Sequence, residues 1–537
     1  MIKRFFLAAL LCTSVLGTFA ADAVYNNVVP LPQSITIQKG DAFVLSASTP
    51  IVYTGTDAKM RQNADFLSDY VEQLTGIRMA VSAQKVKKTP SIVLVIDPKI
   101  EGKEAYRLTV TAKQITISGS TAAGVFYGIQ TLRKSLPVLD KSEDITMPAA
   151  VISDAPRFGY RGMMLDSGRH FWPVSFVKKF IDIMALHNMN TFHWHLSEDQ
   201  GWRIEIKKYP LLTQIGSKRK CTVLGHNSAI DDGTPYEGFY TQDEAREIVK
   251  YAADRNITVI PEIDMPGHML AALASYPELG CTGGPYEVAT CWGVYADVLC
   301  LGNEKIYTFL QDIVDELSDI FPAKYFHIGG DEAPTVRWEN CPKCKALAKA
   351  NGVEPKLLQH VFTNRMEKYI NSKGKSIIGW DEIMHGKINQ SATVMSWRGV
   401  EPGSKAAEAG HDVIMSPTTY CYFDFYQTSN TGGEPMCIGG NLPISKTYEF
   451  DAAPETLTEA ARKHILGVQA NVWTEYIGTT TMLEYQILPR AGALAEVQWV
   501  PVKLKNYDAF VGRETHMAQI YSKLGYRYAK HMWNEKK

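Results

Sequence analysis

The run His327-Ile328-Gly329-Gly330-Asp331-Glu332 sets two adjacent carboxylates behind a glycine pair, at the end of the apolar stretch Tyr325-Phe326-His327-Ile328. A short apolar run closing on glycines reads as a buried strand opening into a loop, and in a (β/α)8 barrel the C-terminal strand ends carry the reactive groups. Two carboxyls that cleave a glycosidic bond by direct displacement stand about 5 Å apart, one as acid and one as nucleophile. Neighbouring strand residues point to opposite faces, so adjacent acids rarely reach that arrangement. One acid can protonate the leaving group while its neighbour does something else, such as holding a nucleophile supplied by the substrate. Alone, an Asp-Glu dipeptide is more often a solvated loop, and the rest of the chain has to decide.

Such a pair needs a scaffold, and apolar runs alternating with helical periods provide one. Candidate strands are Gly162 to Leu165, Asn190 to His195, Thr258 to Ile263, Tyr325 to Ile328, Ser376 to Trp380, Thr393 to Trp397, Val413 to Ser416 and Leu466 to Val472. Eight parallel units predict a (β/α)8 TIM barrel, an α/β fold. Polar and aromatic residues cluster where these strands end: Asp166 to His170, Ser197 to Trp202, Glu262 to His268, Trp380 to Glu382, Trp397-Arg398, Tyr420 to Asp424 and Trp473 to Glu475. Three tryptophans at strand ends beside carboxylates point to one shared pocket.

Ahead of the barrel, short alternating strands (Ser91 to Ile96, Tyr106 to Ile117) and helix-like stretches (Ala58 to Thr75, Thr121 to Leu136) predict a small α+β domain. The reading divides the chain into a signal peptide over 1–20, the α+β domain over 21–155, the barrel over 156–500 and a C-terminal helical extension over 501–537. The signal peptide rests on Lys3 and Arg4, the apolar run Phe5 to Leu16 and the small residues near Ala20. It implies an exported protein, periplasmic or at the cell surface. Leu10-Leu11-Cys12 faintly resembles a lipoprotein box but lacks the preceding small residues, so anchoring through Cys12 is the lesser alternative.

The 537 residues carry a net charge of -1 with no basic stripe, which gives no footing for nucleic acid, and no later run suits a transmembrane span. Cysteines number nine in all. Cys281, Cys291 and Cys300 share one long loop where a bridge is expected, Cys281 to Cys300 being one pairing. Cys341 and Cys344 form a CxxC; no second pair of like spacing follows, so a local disulfide or free thiols are favoured over a metal. His193 and His195 share a strand face without a recognisable third ligand, and a structural role is expected. No metal and no cofactor are expected, and oligomeric state is left open.

With these residues in view, the chain resembles glycoside hydrolase family 20, the β-N-acetylhexosaminidases, from about Val28 to about Val500. The motifs that carry the resemblance are HIGGDE at His327 to Glu332, HWHLSEDQGWR at His193 to Arg203, PEIDMPGH at Pro261 to His268 and NVWTE at Asn471 to Glu475. The resemblance implies substrate assistance: the 2-acetamido carbonyl oxygen attacks the anomeric carbon, and water opens the resulting oxazolinium with retention. It makes Glu332 the general acid, needing a raised pKa, and Asp331 the acceptor of the acetamide N–H. Trp380, Trp397 and Trp473 would pack the acetamido methyl, and Tyr422 would hydrogen-bond its carbonyl.

Arg161 and Glu475 would bind the hydroxyls of the terminal sugar, with Asp424 at its distal edge, closing the pocket for exo cleavage. Asp199 and His268, with Asp264, would support the acid. The implied partner is a glycan ending in β-linked GlcNAc or GalNAc, which differ only at O4. One departure stands out: many members carry a further Trp between the Tyr-x-Asp motif and the last strand, and this chain has none between Asp424 and Trp473. Tyr448 or Phe450 are the candidates to stack on the next sugar, and the loop Gln427 to Gly440 to build the aglycone side. Competing readings are a disaccharide-releasing enzyme, a non-catalytic sugar-binding barrel, and a metal-dependent hydrolase for which no ligand set is evident.

Overall fold

The computed structural model describes residues 24–83 and 90–534; the expected signal peptide and Cys12 lie outside them. Contacts divide the described chain into two units, one ending at Pro156 and taking in Lys503–Tyr526, the other covering Arg157–Val502 and the residues from Arg527 on.

The larger unit is the expected barrel. Its strands are β1 (Tyr160–Asp166), β2 (Thr191–His195), β3 (Thr258–Glu262), β4 (Tyr325–His327), β5 (Ser376–Trp380), β6 (Thr393–Ser396), β7 (Val413–Met415) and β8 (Ile465–Val472). They close in sequence order, all parallel, with β1 against β8. Strands buried on both faces need no solvent-facing polar side, so they read in the sequence as largely apolar runs; every residue of β1, β2, β6 and β7 is buried, Arg161, His193 and His195 included. Since the strands run the same way, residues just past their C-terminal ends meet at one mouth.

The smaller unit carries a seven-stranded sheet and the two expected helices, Ala58–Thr75 and Ala122–Ser135. Asp57 and Thr121 cap these helices by accepting from Lys59 N–H and Gly124 N–H, and Gly76, at φ 72°, ends the first. The run Tyr106 to Ile117 is two strands, Tyr106–Thr111 and Gln114–Gly119, paired antiparallel about a tight turn. The helix expected after residue 501 is Tyr507–Lys523, and it does not stand alone as an extension. It belongs to the smaller unit, where His516 Nε2 lies 2.9 Å from Lys134 O and Lys523 Nζ donates to Leu139 O at 2.7 Å. Among the described residues no helix is long and apolar enough to cross a membrane.

Candidate active site

Beyond β4 the backbone turns left-handed at Gly329 (φ 63°), Gly330 (φ 95°) and Glu332 (φ 47°). A Cβ on Gly329 would lie 1.8 Å from Asp264 Oδ1, and one on Gly330 2.9 Å from Ile383 Cγ2, so side chains are excluded at both. Opposite orientation of neighbours holds only within a strand. Here the chain has left the strand, and Asp331 and Glu332 line the same pocket. A left-handed non-glycine costs on the order of 1 kcal/mol or more, a strain that recurs where function fixes geometry. Asp331 Oδ1 is buried with no hydrogen-bond partner in the protein, and Glu332 is 43% exposed at its side chain.

One wall of this pocket, which encloses about 250 Å3, is aromatic: Trp380 at the end of β5, Trp397 and Trp473 one residue past β6 and β8, with Tyr422 and Phe425. Trp380 and Trp473 meet at a centroid separation of 5.8 Å, and Trp397 stacks on Tyr422 at 6.3 Å. Polar anchors fix two of the indoles. Trp380 Nε1–H donates to Glu262 Oε1 at 3.0 Å, and Trp397 Nε1–H donates to Glu382 Oε2 at 2.9 Å. Burial pushes the Tyr422 phenol well above its ordinary pKa, so it remains a neutral donor.

Glu262, fully buried under this wall, also meets His193 Nε2 at 2.8 Å, His195 Nδ1 at 2.5 Å and His327 Nδ1 at 2.9 Å. Burial would raise its pKa, but the three imidazoles outweigh it and hold the carboxyl well below the usual range. The histidines of β2 thus fasten the floor beneath Trp380.

A second hub stands behind the carboxylate pair. His268, itself left-handed at φ 51°, places Nδ1 3.1 Å from Glu198 Oε2 and 3.2 Å from Asp199 Oδ2. Its Nε2 lies 3.8 Å from Asp331 Oδ2 and 3.7 Å from Glu332 Oε2. Burial works against charge on this imidazole, yet Glu198 and Asp199 hold its pKa well above the ordinary value. Asp199 accepts Leu270 N–H at 2.9 Å and supports His268 from behind, without lining the pocket. Glu198, which lies in the motif His193 to Arg203 without an expected role, also takes Arg169 at 2.9 Å.

The His268 imidazolium, 3.7 Å from Glu332 Oε2, has a consequence contrary to expectation: it holds Glu332 below its usual pKa, against the raised value expected for an acid. Burial pushes Asp331 upward, and His268 counters that. Because the imidazolium lowers both carboxyls, His268→Gln should move both limbs of the kcat/KM profile to higher pH. The acidic limb follows protonation of Asp331 and the alkaline limb deprotonation of Glu332. A pH–rate profile of the variant checks it.

Asp424, Glu475 and Arg169 close one end of the pocket. Arg169 stands 3.8 Å from Glu475 Oε1 and over the Trp473 ring at 4.9 Å. Asp424 is buried with both carboxyl oxygens unpartnered within the protein, and burial, then the Glu475 charge, raises its pKa well above the usual range.

The expectation for Arg161 is corrected. It is the second residue of β1, at the opposite end of the barrel, donating to Asn188 O at 2.8 Å and Phe158 O at 2.9 Å with its guanidinium over Trp499. Strand direction rules it out of the mouth, and the cation at the mouth is Arg169, three residues past the end of β1. Tyr448 and Phe450 are also corrected: both are buried, and Phe450 stacks on Tyr420 at 4.6 Å. From the loop Gln427 to Gly440, Ile438 does reach the pocket.

Residues 158–502 match the family model "Glycosyl hydrolase family 20, catalytic domain", and residues 25–155 match "Glycosyl hydrolase family 20, domain 2". The chain belongs to glycosyl hydrolase family 20. Among relatives in the family, it is 42% identical to a β-hexosaminidase of Porphyromonas gingivalis over 91% of this chain and 62% of that one. It thus spans under two thirds of that relative's length. A Vibrio furnissii β-hexosaminidase is 35% identical over 89% of this chain and 77% of its own. A family 20 exo-β-N-acetylglucosaminidase of Vibrio harveyi, solved with N-acetylglucosamine, superposes with a TM-score of 0.85 at 30% identity, covering 95% of this chain and 79% of that one. A mutant Streptomyces plicatus β-hexosaminidase with its product GlcNAc gives 0.82 at 32% identity, covering 94% and 97%.

Proposed function

We propose that the chain is an exo-acting β-N-acetylhexosaminidase, removing terminal non-reducing β-linked GlcNAc or GalNAc with retention. The observation that carries this reading is that Asp331, Glu332, the three tryptophans and Tyr422 line one pocket. The acetamido methyl packs against Trp380, Trp397 and Trp473, the Asp331 carboxylate accepts the acetamide N–H, and Tyr422 donates to the carbonyl oxygen. Held this way, the oxygen reaches the anomeric carbon as an intramolecular nucleophile.

Glu332 gives its proton to the departing glycosidic oxygen as the bond to carbon breaks, leaving an oxazolinium whose positive charge Asp331 stabilises. Glu332, now a carboxylate, takes a proton from the water that attacks the same carbon, and two inversions give net retention. A bound sugar covers the half-exposed Glu332 and so raises its affinity for a proton, against the pull of His268. Arg169, Asp424 and Glu475 take the sugar's outer hydroxyls and block a longer glycone. The leader-like residues 1–20 support action outside the cytoplasm, in the periplasm or at the cell surface.

Comparing an aryl β-N-acetylglucosaminide with the matching aryl β-glucoside tests the reading. Turnover of the first alone is expected. Comparable turnover of the plain glucoside would show a nucleophile on the enzyme, and binding of N-acetylglucosamine with no turnover of either would leave a sugar-binding module.

A further inference from the structure

Four cysteines far apart in the sequence meet in the barrel unit. Cys281 and Cys300 bound the long loop after β3; Cys341 and Cys344 stand at the start of the helix Pro342–Asn351 after β4. Cys300, Cys341 and Cys344 are buried and Cys281 is half-buried. All four sulfurs lie within 4.8 Å of one another. The expected Cys281–Cys300 bridge is not formed, and Cys341 and Cys344 are free thiols, one of the two states expected of them.

The separations are informative. Cys281 Sγ lies 3.8 Å from Cys344 Sγ, and Cys300 Sγ lies 3.7 Å from both Cys341 Sγ and Cys344 Sγ. A disulfide holds its sulfurs about 2 Å apart. Four sulfurs at the usual zinc–thiolate distance of about 2.3 Å from a common centre form a tetrahedron with edges of about 3.8 Å. The surroundings suit anionic sulfur. Cys341 holds the N-cap position of the helix and Cys344 lies in its first turn, where the free N–H groups and the helix dipole favour negative charge. Gly302 N–H is directed at the Cys344 sulfur. A Cβ on Gly302 would sit 2.2 Å from the Lys343 carbonyl carbon, so only glycine lets the two loops approach this closely.

From this geometry we propose that Cys281, Cys300, Cys341 and Cys344 bind one structural zinc ion. Four thiolates leave no open coordination position, so the ion fastens and does not catalyse. What it fastens is the back of the pocket. Leu299, next to Cys300, donates its N–H to Pro266 O at 3.1 Å in the segment that leads to His268, and Trp338 Nε1–H, on the stretch between Glu332 and Cys341, donates to Leu299 O at 2.9 Å.

Metal analysis of the purified chain, prepared without chelator, tests the site by inductively coupled plasma mass spectrometry. About one zinc per chain is expected, with the four thiols alkylated only after denaturation in EDTA. Cys300→Ser and Cys344→Ser should lose the zinc and melt at lower temperature, while Cys221→Ser, outside the cluster, keeps it. Wild type decides the matter even where a variant fails to fold. Zinc far below one equivalent, iron in its place, or a non-reducing peptide map with disulfides among these four cysteines would overturn the assignment.

Discussion

Glu332→Gln is expected to lower kcat on an N-acetylglucosaminide with a poor leaving group by about 10²–10⁴-fold, the range for loss of a positioned general acid. The amide keeps the shape of the side chain and can still donate a hydrogen bond, but it has no proton to give up, so the aglycone must leave as an oxyanion. The loss therefore depends on the aglycone. A dinitrophenolate leaves unaided and should suffer little in the first step, whereas a sugar alkoxide should suffer most. Plotting log kcat/KM against leaving-group pKa for both proteins checks this: the slope should be markedly steeper for the variant. Because Glu332 is left-handed and half-exposed, the substitution removes no core packing, and Tm should barely change.

Asp331→Asn is expected to cost about 10²–10³-fold in kcat, the scale for removing one preorganised electrostatic contact to developing charge. Asp331 meets the acetamide N–H, which becomes more acidic as its carbonyl oxygen bonds to carbon. Asparagine accepts the same hydrogen bond without the negative charge, so ground-state binding survives better than the transition state. Single-turnover kinetics should show that loss in the chemical step with a smaller change in Kd. The Asp331 loss should persist on dinitrophenyl substrates, where the Glu332 loss shrinks, and that contrast separates the two roles.

Much of this site is legible in the sequence because it sits in short motifs at strand ends. The eight strands appear as apolar runs, and HIGGDE, the three tryptophans and Tyr422 fall where parallel strands must converge. The shared orientation of Asp331 and Glu332 is not legible, since it depends on left-handed backbone at three positions, one of them not a glycine.

Arg161 misled because it lies in a strand that does reach the site, but at its wrong end; counting along β1 to its last residue, Asp166, would have selected Arg169. Glu198 and Glu262 were visible only as strand-end acids, and their work of holding His268 and Trp380 exists only in three dimensions. Local spacing does not reveal the cysteine cluster, because its contacts span 41 to 63 residues and depend on the loops after β3 and β4 lying side by side.

The most direct test of the central claim is a series of aryl glycosides whose N-acyl group is acetyl, mono-, di- or trifluoroacetyl, with the leaving group held constant. Each fluorine withdraws electrons from the carbonyl oxygen that the account makes the nucleophile. A steep, graded fall in log kcat/KM along the series is the predicted result. A flat series would contradict substrate assistance and return the nucleophile to a carboxylate of the protein.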